Sequence, residues 1–512
     1  MGFRAIIVGG SVSGLSLANM LEQLGTDYIL LEAHHITAPQ LGDSIGMLPN
    51  GLRTLDQPGC YETIRDKSRD FYNHTNMRGA DGCPLMKTKF TSLSKRIGEI
   101  PDSIAPEAKL PLCRTGYPCI FIDRQVLLQV LHNNIKNKEK IPADNRVTGV
   151  EVASVGFISQ DGSSYDGDFL LGADGVHSTT RKETWRLANR MSPGLFSSDE
   201  GSSACNASGQ QLSDLLTANS PELKSHTKCI FGISPRPATF PYHTQDPVFY
   251  KGWSCLVVSA PGDRVYWFLL DIPRYTKEDE ADLANQHLDD TIIETAIFRP
   301  LYETRHAATL VPLQEHVFAR RHFRKIVTVG DSAHKVGQPP SSTITSTRSV
   351  KRPDSVAANY GCRVHPITAQ GGNGAIESAA VLVNAIVRKM EERPEGLSEE
   401  ALDATFGEVC TNRRDRARAV VKQGEKMQSI TNLEGPFSGL LIRHLVPLFG
   451  DALFLNSFLK TSLAGPRIEK MDLPHRPHTT SFNGERVARS VKYNWELWSA
   501  AVLVSGLAFM HY

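Results

Sequence analysis

A chain of 512 residues, 40% hydrophobic and 22% charged, is long enough for two or three lobes around substantial cores and too apolar for a disordered polypeptide. Its 56 basic and 55 acidic side chains leave a formal net charge of +1, so there is no electrostatic reason to expect a nucleic-acid partner. The nine cysteines are scattered, without a CxxC pair or zinc-ligand spacing, and the sequence predicts reduced thiols facing the cytosol rather than a disulfide framework. No charged segment followed by an apolar one opens the chain, so no signal peptide is expected.

In chain order, Arg4-Ala5-Ile6-Ile7-Val8 is a short apolar run fit for a buried strand. Gly9-Gly10-Ser11-Val12-Ser13-Gly14 follows as a glycine-rich turn. Leu15 to Leu24 then carries apolar residues at helical spacing and stops at Gly25, a plausible C′ residue. Tyr28-Ile29-Leu30-Leu31 reads as a second strand closing on Glu32. Together these segments open a dinucleotide-binding α/β fold. The turn departs from GxGxxG: Gly9 and Gly14 fill the outer positions and Ser11 replaces the middle glycine. A tight turn, close approach of backbone to a pyrophosphate, and helix–strand contact without a side chain are what such a loop must supply. Serine is small enough for the second of these. Glu32 is placed to accept hydrogen bonds from ribose hydroxyls, which favours FAD or NAD over NADP. A purely structural turn and a solvated strand-end carboxylate are the competing readings.

Further along, Ile120 to Ile135 reads as a short strand leading into a helix. Residues 146–176 read as strands, with Asp161-Gly162 as a hairpin turn and Phe169-Leu170-Leu171 as a buried strand. Residues 190–225 are rich in Ser, Asn and Gly and read as a long loop. From 228 to about 320, runs such as Cys229-Ile230-Phe231 and Val265 to Leu270 predict a second, sheet-based lobe. Ile326 to Val329 returns to a buried strand, and 375–390 and 399–430 are predicted helices.

Two later motifs sharpen the reading. One is Gly172-Ala173-Asp174-Gly175-Val176-His177-Ser178, with Arg181 after it. The other is Gly330-Asp331-Ser332-Ala333-His334, directly after a strand. Each aspartate alone fits a strand-end turn equally well. In this order, with the N-terminal unit, they resemble the fingerprints of the class A flavoprotein monooxygenases, which share the para-hydroxybenzoate hydroxylase-like fold. The resemblance implies a Rossmann-like FAD-binding domain interleaved with a sheet-based substrate domain, FAD as cofactor, NADPH or NADH as co-substrate, and O₂. It gives Asp331 the FAD ribitol, and gives Asp174 and Gly175 to a motif that supports FAD and NAD(P)H binding. Arg124, in Ile122-Asp123-Arg124-Gln125, would face the phosphates, where its fork suits bidentate contact.

Gly42 to Leu52 and Gly371 to Ala379 look like the fungal subgroup that includes the epoxidases of paxilline-type indole-diterpene and meroterpenoid pathways. That likeness implies a hydrophobic prenylated substrate and an epoxide product. Gly46 would approach the flavin through its backbone. Gly371 and Gly372 would sit at the isoalloxazine beside a helix N-terminus, whose partial positive charge favours a reduced flavin. The FAD-binding domain is expected over 1–72, 115–185 and 320–400, and the substrate domain over 73–114 and 186–319. A helical region follows over 401–480. No catalytic acid or base can be assigned. The alternatives are an aromatic hydroxylase of a phenolic polyketide and an inactive flavoprotein-like remnant.

The remnant reading arises because residues 337–364 interrupt the pattern. Polar and rich in Ser, Thr and Pro, they separate Lys335-Val336 from His365-Pro366, and deleting them restores the expected text. They are read as a translated intron in preference to a surface loop. Residues 97–114 also look long. At the other end, Leu497 to Met510 is an uncharged apolar run of about 14 residues, roughly 21 Å as a helix and short of a ~30 Å hydrocarbon core. With Trp495 and upstream Arg486, Arg489 and Lys492, it predicts a membrane-associated segment over 495–512, as a tail anchor or interfacial helix with the catalytic part in the cytosol. Residues 437–465 offer a second membrane-facing surface.

Overall fold

The computed structural model describes residues 3–39, 44–68, 74–89, 115–151, 156–159, 162–193, 195–196, 225–271, 280–314, 316–318, 320–335, 369–431, 458–478, 480–483 and 485. The insertion at 337–364, the long stretch at 97–114 and the apolar segment at 495–512 lie outside the described residues, as does most of the loop expected over 190–225.

The N-terminal unit forms as its pattern predicts. Strand β1 (Arg4–Val8), helix α1 (Val12–Gln23) and strand β2 (Asp27–Leu31) run in succession. Helix α1 begins inside the expected turn, so Gly14 is helical rather than a loop residue. Strand β3 (Ser44–Met47) and helix α2 (Pro49–Asp56) follow, then β4 (His74–Arg78) and β5 (Pro84–Lys89). Strand β6 (Ile120–Asp123) feeds helix α3 (Arg124–Asn134). A three-stranded meander, β7 (Val147–Glu151), β8 (Gly156–Ser159) and β9 (Ser164–Asp166), precedes β10 (Phe169–Gly172) and helix α4 (Thr179–Met191).

The second lobe contains β11 (Ser225–Pro235), β12 (Thr244–Phe249), β13 (Trp253–Ala260), β14 (Arg264–Asp271) and β15 (Ala307–Gln314). Strands β16 (His322–Phe323) and β17 (Ile326–Thr328) return to the first lobe. Helices α5 (Gln370–Glu392) and α6 (Glu399–Thr431) close the described fold.

The first sheet has the order β16-β17-β10-β1-β2, parallel except for the edge strand β16. Its central strands are apolar throughout because both faces are covered, as a parallel sheet requires. Ile6 pairs with Leu170 on one side and Ile29 on the other. Strands β1, β2, β10 and β17 therefore all end at one edge. The Gly9 turn, Glu32, the Asp174 motif and the Gly330-Asp331 motif are delivered there together, at the carboxyl ends where open α/β sheets bind ligands.

The second sheet has the order β15-β11-β14-β13-β12-β4-β5, antiparallel apart from the β12/β4 pair. Its alternation is clean. Ile230, Cys255, Val257, Val265 and Trp267 point to one core, which the short helical segments Glu280–Asn285 and Arg299–Glu303 help to cover. Cys229, Leu256, Val258, Tyr266 and Phe268 point the other way, against Phe121 of β6.

Among the described residues, Cys60, Cys83, Cys119, Cys229, Cys255 and Cys410 are all free thiols. No described helix is long and apolar enough to cross a membrane. The described end of 437–465 is docked rather than membrane-facing: Leu459 is buried, Leu463 packs on the main core, and Gly465 lies against Asn50 of α2.

Candidate active site

A cavity of about 780 Å³ runs along the carboxyl edge of the first sheet, in the size range of small-molecule sites. It starts beside Glu32 and His34, passes the Gly9–Val12 turn and Arg124, and reaches Gly46, Asp331, Gly371 and Gly372. Beyond these it opens onto Phe121, Phe231, Phe268, Thr309 and Val311. Ten of the eleven sequence-predicted site residues border it; Gly14 does not.

Gly9 has φ +102°, and a Cβ there would stand 2.5 Å from the Ala173 carbonyl oxygen. A Cβ on Gly14 would be 1.8 Å from the Gly9 carbonyl oxygen, so Gly14 lets the first turn of α1 close under the strand. Its role is packing. Glu32, 7% exposed, accepts the Gly10 N–H at 2.6 Å through Oε2 and the His34 N–H at 2.8 Å through Oε1. These bonds fix the carboxylate at the cavity edge and leave lone pairs for a ligand hydroxyl. Ser11 does not cap α1 through its side chain. Its hydroxyl instead accepts Arg124 Nη2 at 2.9 Å, drawing the first residue of α3 over the glycine turn.

Asp174 is committed to backbone architecture. Its Oδ1 accepts Ser178 Oγ at 2.5 Å and its Oδ2 accepts the Thr180 N–H at 2.9 Å, which satisfies donors at the start of α4. Gly175 follows at φ +75°. Arg181 donates through Nη2 to the Val176 carbonyl at 2.6 Å and through Nη1 to the Ser332 carbonyl at 2.9 Å. It thereby staples the Asp174 motif to the Asp331 motif. Asp331 lies exposed in a 3₁₀ turn at the cavity.

The first turn of α5 and the end of β3 form one unit through Asn373. Its Nδ2 donates to the carbonyls of Gly46 at 2.9 Å and Ala369 at 2.6 Å, and its Oδ1 accepts the Leu48 N–H at 3.0 Å. Gly372 has no room for a side chain, since a Cβ would meet Ile45 Cδ1 at 2.4 Å. The predicted helix start at 375 is therefore five residues late. Three glycines weaken the helical signal, and the bonds from Asn373 and the left-handed cap at Ala369 (φ +51°) override it.

One turn further on, Glu377 is 1% exposed and accepts Asn50 Nδ2 at 2.7 Å, Arg413 Nη1 at 2.8 Å, and both Nε (2.7 Å) and Nη2 of Arg416. Burial pushes its carboxyl up, but the bonds and charges of Arg416 and Arg413, with Asn50, outweigh that and hold it below the usual carboxylate range. Burial lowers the Arg413 guanidinium against the opposing pull of Glu377. Asn50 lies within Gly42–Leu52, and Asn373 and Glu377 within Gly371–Ala379, yet no local pattern marks them as structural clamps. Arg413 and Arg416 sit in a run of charges, where only their three-residue spacing separates the inward face from the outward one.

At the far wall, Phe268 contacts Phe121 and Phe231 edge-on, with ring centroids 5.9 and 5.3 Å apart. Asp123, just before Arg124, accepts Tyr266 Oη at 2.9 Å and Arg264 Nη2 at 3.0 Å, tying the end of β6 to β14 of the second sheet beside the cavity. No cluster of metal-binding side chains occurs among the described residues.

The donors fit an extended dinucleotide. There is a carboxylate at one end, a glycine turn and helix N-terminus with an arginine in the middle, and a second helix N-terminus at the other end. Residues 3–188 match the FAD binding domain family. The FAD-dependent monooxygenase spyC of Aspergillus fumigatus is 31% identical over 467 residues, covering 88% of this chain and 84% of that protein. The chain belongs to the FAD-dependent monooxygenases. This monooxygenase is also 29% identical over 464 residues to the FAD-dependent monooxygenase ptmM of Penicillium ochrochloron, covering 88% of this chain and 94% of that one. Its fold is shared with Klebsiella pneumoniae HpxO, solved with FAD and uric acid, at a TM-score of 0.64 and 18% identity over 91% of this chain and 97% of the other. In this monooxygenase Glu32, Arg124 and Asp331 all border the same cavity.

Proposed function

We propose that this monooxygenase acts in secondary metabolism and epoxidises an alkene of a prenylated, terpenoid-like precursor, with NADPH or NADH as reductant. The observation that carries this reading is the sheet-side wall of the cavity. Phe121, Phe231, Phe268, Thr309 and Val311 give it aromatic and aliphatic surface. Among the described residues of that wall no side chain ionises near neutrality. Hydroxylation of a phenol profits from a base that takes the phenolic proton, and the described residues of this wall offer none. Oxygen transfer to an alkene needs orientation and a dry pocket instead.

FAD, when bound, supplies the redox chemistry that delivers one oxygen atom of O₂. The chain's own residues do the rest. Glu32 and Arg124 anchor the nucleotide half, and the Asn373 clamp fixes Gly46 and the start of α5 against the other half. The phenylalanine wall excludes water and presents the substrate's hydrocarbon. The apolar run at 497–510 is part of the same proposal, since an anchor would place the cavity near lipid-dissolved substrate. Removing residues 493–512 should release the folded chain from the membrane pellet, and pelleting that persists after truncation sinks that part.

The test of the reaction is turnover by the holoenzyme with NADPH or NADH, O₂ and either a geranylgeranylated indole or a simple phenol. Epoxide from the first with uncoupled peroxide from the second supports the proposal. Hydroxylated phenol without epoxide refutes it.

A further inference from the structure

The charge beneath α5 is unbalanced. Glu377, Arg413 and Arg416 form a buried cluster of one carboxylate and two guanidiniums, with side-chain exposures of 2%, 6% and 17%. The carboxylate could be satisfied by one arginine together with Asn50 Nδ2, which already reaches it at 2.7 Å. A second buried guanidinium is costly to desolvate, and it leaves the cluster with an excess of +1. Both arginines also hold backbone: Arg413 Nη2 donates to the Gly374 carbonyl at 3.1 Å, and Arg416 Nη2 to the Thr461 carbonyl at 2.9 Å. Glu377 and Arg413 border the cavity that Gly371, Gly372 and Gly374 also line. Along the helix, Glu377 is six residues from Gly371, roughly 9 Å. The excess charge thus adds to the partial positive charge of the α5 N-terminus on the same side of the cavity.

We propose that the Arg413–Glu377–Arg416 cluster sets the reduction potential of the bound flavin, its surplus positive charge stabilising the negative charge gained on reduction. The inference rests on FAD occupying the cavity and is independent of the substrate. A neutral clamp of the same shape would hold α5 to α6 equally well, so the arrangement of charge and not the packing is what the proposal claims.

The experiment measures the midpoint potential of the flavin-loaded enzyme against a reference dye, for the parent and three variants. Glu377→Gln raises the cluster's charge to +2, Arg416→Gln lowers it to zero, and Arg416→Lys keeps it at +1. One unit charge acting across roughly 9 Å at an effective dielectric near 20 changes the oxidised-to-reduced equilibrium on the order of tenfold. That corresponds to about 30 mV for a two-electron couple. The potential should rise in Glu377→Gln, fall in Arg416→Gln and stay close to the parent in Arg416→Lys. A purely structural clamp would weaken flavin retention in all three without this reversal of sign. Should Glu377→Gln not retain flavin, the Arg416→Gln and Arg416→Lys pair decides alone. Equal potentials in that pair, or shifts in the same direction for Glu377→Gln and Arg416→Gln, overturn the proposal. A parent chain that takes up no FAD overturns the cofactor assignment, and the proposal with it.

Discussion

Replacing Asn373 by alanine is expected to cost this enzyme most of its FAD affinity while leaving it folded. The side chain is fully buried and satisfies three backbone groups, the carbonyls of Gly46 and Ala369 and the N–H of Leu48. Leaving a buried backbone group without a partner costs about 1–3 kcal/mol each. The vacated space lies against Gly51, where Asn373 Oδ1 now sits 2.1 Å from the position a Cβ would take, so a water can enter and recover part of the loss. A net penalty of about 3 kcal/mol follows. The rest of α5 remains anchored by Ile376, Ala379, Leu382 and Val383, all fully buried in the main core, so the penalty falls on the cavity wall rather than on the whole fold. If FAD requires Gly46 and the α5 start at fixed separation, its dissociation constant should rise about a hundredfold. Flavin-fluorescence titration measures this, with circular dichroism and thermal unfolding of the apo-protein as the control. A variant that stays folded and binds FAD within threefold of the parent would refute the claim that this clamp builds the site.

Three further outcomes are expected. Asp331→Ala should weaken FAD binding by about 1–3 kcal/mol, and full flavin retention at dilute FAD would remove Asp331 from the site. Burial holds the His322 imidazole below the usual histidine range despite its bond to Asp403, so the unfolded chain takes up a proton near pH ~6.5 that the folded chain resists. Its contribution is therefore present above that pH and lost as pH falls, and His322→Gln should flatten the decline in denaturation midpoint between about pH 7 and pH 5. Deleting residues 337–364 should raise flavin occupancy and turnover; a deletion variant that loses flavin while the full chain is holo and active marks the segment as a working loop.

Much of the cavity's glycine-turn end was legible in the sequence, because its requirements are local. A glycine at φ +102°, a carboxylate ending the next strand and an arginine opening a helix each leave a signature within a few residues. What was not legible depends on partners far apart in the chain. Asn50 and Glu377 meet across 327 residues, and Glu377 and Arg416 across 39. In Arg413-Arg414-Asp415-Arg416 only Arg413 is buried and only Asp415 is exposed, a distinction that residue type alone does not reveal. The early start of α5 was hidden for a related reason: glycine argues against helix locally, while Asn373 and the packing of Gly372 on Ile45 decide the matter from outside the segment. The phenylalanine wall combines β6, β11 and β14: Phe231 and Phe268 are cross-strand partners in the second sheet, and Phe121 reaches them from β6, more than a hundred residues earlier.

The second sheet contains two strands, β4 and β5, that come from the N-terminal quarter of the chain, with β12 running parallel to β4 through the pair Gln245↔Thr75. The first sheet likewise awaits β17, contributed after the second lobe has been traversed. Neither sheet is therefore complete when half of the polypeptide has left the ribosome, and a single cut anywhere between β5 and β11 leaves both sheets short of strands on either fragment. Such long-separation pairings make for slow folding, with unpaired strand edges exposed in the meantime. Recombinant expression should accordingly depend on chaperone supply and low temperature more than on the stability of the finished enzyme. A gene split between β5 and β11 would oblige both sheets to be completed across the two pieces.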